Sequence, residues 1–242
     1  MMPFFKFKKR PSGDPKVPAS LPKNPYDEGW SAYSDQWETA VKSEEMKYLG
    51  DEWGSGELTE GIIQEFVIPF LVPDGTALEI GCGGGKYSEW LAHLHRKLVC
   101  SDVSEKMVQR TKARLSHKDN VSYEVLNGYD LGQFADSSFD YVFSFDVFVH
   151  IDMEDAYSYV QEIHRVLKDA GRGLLHFANL NSSDGWKKFV AEVPLNRGGG
   201  KNFDRFRFLT WEIVEKFLKS LDFNILKHKK EPWRDIIIVF EK

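Results

Sequence analysis

The sequence contains little cysteine and no long apolar run. Its two cysteines, Cys82 and Cys100, are too few for a disulfide framework or a structural zinc site. No apolar run approaches the roughly 20 residues needed to cross a bilayer. The first residues, MMPFFKFKKR, lack the apolar centre and the small-residue cleavage site of a secretory signal. These absences predict a reduced, cytoplasmic protein with no membrane span and no bound metal.

The N-terminal leader and the rest of the chain have net charges of opposite sign. Residues 1–25 have a net charge of +5, whereas the whole 242-residue chain carries −5, so the remainder carries −10. An acidic body argues against extended nucleic-acid contact, because neutralisation of phosphates dominates such binding. Six of the ten prolines lie in the leader, which predicts a solvated segment without regular structure. Contact with an anionic surface is the alternative role for it.

The remaining sequence has an ordinary hydrophobic content of 42% and an alternating pattern. Residues 26–72 predict an N-terminal helical extension that ends in an amphipathic helix over 58–71. From residue 73 to 242, apolar strands alternate with amphipathic helices. This alternation predicts an α/β, Rossmann-like domain with a seven-stranded, mostly parallel sheet. The last two strands, expected around 223–229 and 234–241, are joined by a short turn and must be antiparallel.

One segment interrupts this alternation. Five earlier strands are expected at 76–80, 98–100, 121–126, 139–145 and 173–178. Residues 181–209 then show no clear periodicity and are rich in glycine, asparagine and arginine, with aromatics between them. Such a stretch predicts either a lid over a pocket or an unstructured loop.

A glycine-rich segment follows the first predicted strand. Glu79, Gly81, Gly83 and Gly85 occupy alternate positions between that strand and an amphipathic helix. Glycines there let the backbone approach a ligand closely and expose the amides of a helix N-terminus. The third glycine of a dinucleotide fingerprint would fall at Lys86, and no phosphate-loop sequence follows, so both motifs are excluded.

An acidic residue, Asp102, ends the next predicted strand, 17 residues beyond Gly85. A carboxylate at this position can accept two hydrogen bonds from a ribose diol. The glycine segment and the acid are each compatible with simple turn chemistry. Together, at strand–helix–strand spacing, they predict a nucleoside-binding site.

These segments resemble those of class I S-adenosylmethionine-dependent methyltransferases, over about residues 58–180 and, in topology, the C-terminal hairpin. The resemblance implies S-adenosylmethionine as the cofactor, with its amino-acid part above the glycines and its ribose on Asp102. It also implies that segment 126–130 contacts adenine and that segment 137–144 ends beside the methionine carboxylate and sulfonium. Asn127 stands where the family often has Asp, so its hydrogen bonds to adenine stay open.

The resemblance and the spacing together predict a set of cofactor-binding residues. Cys82 is included by position, although we interpret it as a small packing residue and not as a nucleophile. The predicted set is Glu79, Gly81, Cys82, Gly83, Gly85, Asp102, Val103, Asn127, Gly128, Ser144 and Phe145.

Two residues after the fourth predicted strand are candidates for chemistry on an acceptor. Asp146 and His150 lie at the carboxyl edge of the sheet, where α/β folds place ligands. An unshifted His150 titrates near neutrality, so it fits either a base or a residue that organises the loop. Asp146 fits contact with the cofactor or a turn cap. His176, on the fifth strand, is interpreted as a satisfied core residue.

The predicted function is transfer of a methyl group from S-adenosylmethionine to an oxygen or nitrogen of a small molecule. Basic residues between aromatics in segment 181–209 would suit a phosphorylated or carboxylated acceptor, whereas the alternative is a solvated loop. Methylation of a protein or RNA, and a non-catalytic cofactor-binding partner subunit, are the competing hypotheses. The sequence leaves the acceptor and the oligomeric state open.

Overall fold

A single sheet organises the protein. The computed structural model describes residues 24–40, 46–198, 204–230 and 233–242, so the predicted leader lies almost wholly outside the described residues. The strands found within the described ranges are β1 (Thr76–Ile80), β2 (Lys97–Asp102), β3 (Val121–Val125), β4 (Phe139–Ser144), β5 (Leu167–Asn179), β6 (Phe208–Leu209), β7 (Asn224–Lys229) and β8 (Asp235–Glu241).

The strand order confirms the predicted fold class. The main path of the sheet runs β3-β2-β1-β4-β5-β8-β7. Strands β1 to β5 pair in parallel, and β8 is antiparallel to both β5 and β7. The two-residue β6 adds to the seven predicted strands by pairing with the end of β5. All the parallel strands therefore end at one edge, where α/β folds place their ligands.

Helices cover the two faces of this sheet. They are α1 (Pro25–Thr39), α2 (Gly56–Ile62), α3 (Ser88–Leu94), α4 (Glu105–Arg114), α5 (Met153–Val166), α6 (Ser183–Glu192) and α7 (Trp211–Lys219). Side chains alternate along β1, so Leu78 joins the core beneath α5 and α7, whereas Ala77 joins the core beneath α2 and α3. Within the described residues, no helix has the length and apolarity to cross a membrane.

The helix predicted over 58–71 is only partly α-helical. α2 continues as a π-helical turn, Ile63–Val67, and then as a 3-10 turn, Ile68–Phe70. Pro69 has no backbone N–H, so the regular α-helical ladder cannot continue through it. The predicted buried face is nevertheless present, because Ile63, Phe66 and Val67 are fully buried.

β5 is longer than predicted. Its first residues include Asp169-Ala170-Gly171. Because this sequence is typical of a turn, the strand was predicted to begin only at residue 173. Ala170 has a positive φ of 57°, and the pairing of β4 with β5 shifts register between Phe139 and Tyr141. The strand therefore begins at Leu167 through an irregular, bulged segment.

The expectation that segment 181–209 lacks regular structure is wrong for its first half. Ser182 caps α6 by accepting a hydrogen bond from the N–H of Gly185. A 3-10 turn, Val193–Gly198, follows the helix, and residues 199–203 lie outside the described part. Whether the segment acts as a lid stays a prediction, as does the division of the chain into a leader, an extension and a domain.

Candidate functional site

The carboxyl edge of the sheet holds a cavity of about 110 Å³. The loop after β1 and the end of β2 form one side of it, and the loop after β4 forms another. Most of the predicted site residues line this cavity, namely Glu79, Gly81, Cys82, Gly83, Asp102, Val103, Gly128, Phe145, Asp146 and His150. The structure thus brings together residues that the sequence spreads over the ends of four strands, β1 to β4.

The glycine loop presents its backbone to the cavity. The N–H groups of Gly81 and Cys82 both donate to the carbonyl oxygen of Ser101, at 2.7 and 2.9 Å, and tie the loop to β2. Gly83 has a positive φ of 54°, and a Cβ placed there would meet no atom within 4 Å. The missing side chain therefore leaves open space, into which a ligand can approach the backbone.

Asp102 is a buried carboxylate on the cavity wall. Its Oδ2 accepts the N–H of Gly83 at 3.0 Å, and its Oδ1 accepts the N–H of Ser104 at 2.9 Å. Burial raises the pKa of Asp102 to about 6, although these two donors oppose the shift. Each carboxylate oxygen keeps lone-pair capacity for a further donor, such as a hydroxyl.

Glu79 is a second buried carboxyl group in the same cavity. The hydroxyl of Ser88 donates to its Oε2. Burial raises the pKa of Glu79 to about 7, and the Ser88 hydrogen bond only partly opposes that rise. A buried carboxylate is costly without a positive partner, so a cationic ligand in this cavity would favour the ionised form.

Three predicted cofactor residues do not line the cavity. Gly85 packs against α4. The side-chain oxygen of Asn127 accepts the N–H of Asp130 at 3.0 Å and so closes a local turn. The hydroxyl of Ser144 donates to the carbonyl oxygen of Ile80 at 2.9 Å and joins β4 to β1. In this structure the three residues shape the loops around the cavity, and their direct contact with the cofactor stays a prediction.

The N-terminal extension covers the cavity, which sequence reasoning missed. Lys86 holds this cover in place, because its Nζ donates to the carbonyl oxygens of Trp53 and Gly54 at 3.1 and 2.7 Å. The high content of Trp and Tyr in residues 26–57 was the available signal. The covering residues on the cavity are Tyr26, Trp30, Gly50 and Trp53.

Two further contacts fix the extension on the loops below it. The side-chain Nδ2 of Asn24 donates to the carbonyl oxygen of Asn127 at 2.9 Å. Gly84 lies so close to the backbone of Leu49 that any Cβ would collide with its carbonyl oxygen. The glycine segment therefore serves the docking of the extension as well as the approach of a ligand.

A second cavity, of about 690 Å³, adjoins the first. Six residues line both of them, namely Trp30, Trp53, Tyr87, Phe145, Asp146 and His150. The larger cavity extends toward the segment after β5 and the start of β8. The shared residues mark the place where ligands in the two cavities would meet.

His150 stands at this boundary as a neutral imidazole. Its ring packs edge-on against Trp30 and Phe206, with ring centroids 5.2 Å apart in each pair. Its Nδ1 lies 3.2 Å from the carbonyl oxygen of Arg205, which can only accept, so Nδ1 carries the proton and Nε2 keeps its lone pair. Burial lowers the pKa of His150, which corrects the expectation of titration near neutrality.

Asp146, the other boundary residue, is held by His176. Its backbone has a positive φ of 59°, and its Oδ1 lies 3.3 Å from Nδ1 of His176. Nε2 of the same ring lies 3.2 Å from Oδ2 of Asp235. Burial alone would lower the pKa of His176, but Asp146 and Asp235 outweigh it and raise the pKa to about 9. His176 thus lies between two carboxylates beside the larger cavity, which goes beyond the core role expected of it.

The larger cavity is lined by more carboxylates than basic groups, and three of its four carboxylates lie against a basic side chain. Its wall carries Asp146, Asp184, Asp204 and Asp235, together with Arg234 and His176. Arg234 is already paired with Asp235 at 2.6 Å.

Three basic side chains of the 181–209 segment are paired with carboxylates as well. Lys187 and Lys188 pair with carboxylates of their own helix. Arg207 pairs with Asp152. Whether this segment binds an anionic acceptor stays a prediction, since Lys201 and the side chain of Arg197 lie outside the described part.

The two cysteines have packing roles. Cys82 and Cys100 are both buried and unpaired. Burial raises the pKa of Cys82 well above its usual value, which keeps it as an uncharged thiol. No cluster of His, Cys, Asp or Glu among the described residues is arranged to hold a metal ion.

Comparison with known proteins gives one family. Residues 78–175 match a family model described as a methyltransferase domain. An O-methyltransferase, resE of Aspergillus sclerotiorum, is 33% identical over 99 residues, which cover 39% of this chain and 36% of that protein. A ubiquinone biosynthesis O-methyltransferase of Sinorhizobium fredii is 28% identical over 181 residues, covering 64% of this chain and 72% of that protein. Other relatives are named for transfer to nitrogen or sulfur.

Solved structures share the fold. Magnesium protoporphyrin IX methyltransferase from Synechocystis, solved with bound SAH, aligns with a TM-score of 0.66 and 18% identity. The alignment covers 89% of this chain and 97% of that one. The arrangement of strands and helices is therefore that of the methyltransferase fold.

Proposed function

The chain belongs to the class I S-adenosylmethionine-dependent methyltransferases, whose cofactor is S-adenosylmethionine, and we propose that it transfers the methyl group to a small-molecule acceptor. One observation carries the proposal: the cavity with the glycine loop shares Asp146 and His150 with a second, larger cavity beside it. Two ligands placed in the two cavities would meet at these residues. Such a junction is what group transfer between a donor and an acceptor requires.

The residues of the smaller cavity fit the cofactor. S-adenosylmethionine supplies a methyl group on a cationic sulfonium, and its transfer is an in-line displacement. We assign the ribose hydroxyls to Asp102, whose oxygens keep lone pairs for them. The buried carboxyl group of Glu79 would balance the positive charge of the cofactor. Gly83 would let the amino-acid part lie close to the backbone, since a Cβ there would meet no atom within 4 Å.

On the acceptor side, His150 and Asp146 carry the proposed chemistry. Nε2 of a neutral His150 is free to take the proton of an acceptor hydroxyl. The carboxylate of Asp146 would orient a donor group of the acceptor, since His176 holds it at the junction. An acceptor that reacts as a neutral amine would need the positioning more than the base.

The volume and charge of the larger cavity support a small neutral or cationic acceptor. About 690 Å³ suits a metabolite-sized ligand. Aromatic rings from Trp30, Tyr33 and Trp53 offer flat apolar walls, and the carboxylates disfavour a phosphorylated compound. We therefore propose transfer to an oxygen or nitrogen of a neutral or cationic acceptor, whereas segment 181–209 suggested an anionic one. The same enclosure disfavours RNA or a folded protein as the acceptor.

A release assay tests the proposal. S-adenosylhomocysteine formation would be measured with pools of phenolic, amine and phosphorylated compounds, using Asp102→Ala as the negative control. We expect release with the phenol or amine pools and none with the phosphorylated pool. Binding of S-adenosylhomocysteine without turnover on any pool would instead favour the non-catalytic partner subunit.

A further inference from the structure

A groove of about 400 Å³ lies between α2 and the C-terminal hairpin. We call it the outer groove; its lining includes Leu58, Gly61, Ile62, Glu65, Lys229 and Trp233. The first four of these residues follow the spacing i, i+3, i+4, i+7 of one helical face, so α2 and the turn that continues it form one wall. Lys229 ends β7 and Trp233 precedes β8, and these two residues form the opposite wall.

The outer groove adjoins the larger cavity. Leu58 and Trp233 line both of them, whereas none of the described residues that line the groove reaches the smaller cavity with the glycine loop. The smaller cavity, the larger cavity and the groove therefore follow one another in a row. An acceptor whose reacting atom lies at His150 would direct its other end toward Leu58 and Trp233.

Apolar side chains form the base of the outer groove. Ile62 is only 3% exposed, and Trp233 packs against the core cluster to which Ile62 belongs. Leu58 is 43% exposed, so much of its side chain borders open space where the groove meets the larger cavity. An alkyl chain or a flat ring lying against these three side chains would remove apolar surface from water, which favours binding.

The charged side chains of the outer groove have both signs. The carboxylate of Glu65 lies 3.2 Å from Nζ of Lys227 and 4.0 Å from Nζ of Lys229. The Lys229 ammonium also lies over the Trp233 ring, 4.9 Å from its centroid, and Glu57 adds a second carboxylate. These charges create no field of a single sign that would select an ion, so an uncharged chain suits the groove better.

Gly61 keeps the outer groove open. It lies inside α2, where a glycine lowers helix stability relative to alanine. Its backbone is helical, and a Cβ placed on it would meet no atom within 4 Å, so neither conformation nor crowding requires a glycine there. Its missing side chain instead leaves space in the groove, which a ligand can occupy.

We propose that the outer groove binds the far end of the acceptor, and that the acceptor is an elongated molecule with an uncharged, apolar extension. This inference rests on the proposed function, because it takes the reacting end of the acceptor to lie at His150. The extension passes Leu58 and Trp233 and ends against Gly61 on α2. The groove thereby selects acceptors by length, at a distance from the reacting atoms.

Two phenols that differ only in chain length test this subsite. The probes are 4-methylphenol and 4-hexylphenol, and calorimetry would measure their binding to the full chain with and without S-adenosylhomocysteine. We expect 4-hexylphenol to bind at least about tenfold more tightly, because its additional methylenes bury apolar surface. Gly61→Phe fills the groove and should remove this gain, while the affinity for 4-methylphenol should stay within about twofold.

Two further variants control for bulk and for folding. Gly56→Phe is the matched control, because a Cβ at Gly56 also meets no atom within 4 Å but Gly56 does not line the groove; it should keep the full gain. Leu58→Gln is a milder change at an exposed helical position and should reduce the gain about threefold. Unchanged affinity for S-adenosylhomocysteine in each variant would show that the fold is intact.

Three results would overturn the subsite. They are equal affinity of the wild type for the two phenols, no binding of either phenol, and a gain that survives in Gly61→Phe or is lost equally in Gly56→Phe. The readout is binding and involves no turnover. A gain that depends on Gly61 without any release of S-adenosylhomocysteine in the activity assay would therefore contradict methyl transfer and leave the subsite in place.

Discussion

The two cavities are built in different ways. The proposed donor cavity rests on loops that directly follow β1, β2 and β3, and its polar groups, Glu79 and Asp102, are held by neighbouring backbone or side chains. The proposed acceptor cavity is assembled from Trp30, His150, Phe206 and Arg234, which lie far apart in the chain. The donor cavity is therefore formed by loops at the ends of neighbouring strands, whereas the acceptor cavity forms only when distant segments pack together.

Replacement of His150 should have the largest effect, because it should lower turnover without changing cofactor affinity. With a hydroxyl acceptor, His150→Ala should lower the maximal rate roughly 10²–10⁴-fold, the usual range for a positioned base. Affinity for S-adenosylhomocysteine, measured by calorimetry, should change little, and His117→Ala on the surface serves as the control.

The pH profile adds a second reading of the same residue. The wild-type rate should rise as pH increases through a pKa below about 6.5 and stay level at neutrality, because burial lowers the pKa of His150. If the wild-type pH–rate profile has no acidic inflection and His150→Ala keeps nearly full activity, the role of His150 is only to organise the loop.

The converse variant is Asp102→Ala, on the donor side. Loss of two hydrogen bonds to the ribose should cost roughly 2–4 kcal/mol, or about 30- to 900-fold in affinity for S-adenosylhomocysteine. The control is Asp119→Ala, at an exposed position. Unchanged affinity in calorimetry would contradict the ribose assignment.

The two sides should also lose stability in different pH windows. The folded-state pKa of Glu79 is raised to about 7 from 4.5, so its contribution to folding without cofactor is present below pH 4.5 and is lost as pH rises to 7. A shift of this size corresponds to about 3 kcal/mol. Urea unfolding at a series of pH values should show this loss in the wild type and a flatter curve in Glu79→Gln.

On the acceptor side, the corresponding group is His176. Its pKa is raised to about 9 from 6.5, so its contribution to stability is complete below pH 6.5 and is lost as pH rises through 9. Asp235→Asn removes one of the two carboxylates and should move that loss to lower pH. A wild-type curve that is flat between pH 6.5 and 9 would contradict the raised pKa of His176.

Lys86→Met should have the smallest effect of these variants. Lys86 only helps to hold the N-terminal residues that cover the cavities. Loss of the hydrogen bonds to Trp53 and Gly54 should cost about 1 kcal/mol, or roughly fivefold in affinity for S-adenosylhomocysteine. The maximal rate should change less than the KM for S-adenosylmethionine and the KM for the acceptor. Lys97→Met, on the exposed start of β2, is the control, and equal behaviour of the two variants would show that the cover does not need Lys86.

Local pattern was enough for the sheet and for much of the donor side. Alternation of strands and helices predicted the mostly parallel sheet and its antiparallel hairpin, because each element must bury one apolar face. It failed at Pro69 and at Asp169–Gly171, where a missing N–H and a bulge alter elements that are otherwise correctly placed. It failed again at α6, where the helical spacing was present but faced outward.

Long-range contacts decided the rest of the site. By itself, the sequence determined that glycines and Asp102 would meet at one edge, since parallel strands end together. Only the tertiary structure placed Trp30 and Trp53 over the cavity, turned the side chain of Asn127 into its own loop and set His176 between two carboxylates. The reason is physical: a motif acts through backbone geometry within a few residues, whereas burial and pairing of charges depend on segments that meet only after folding.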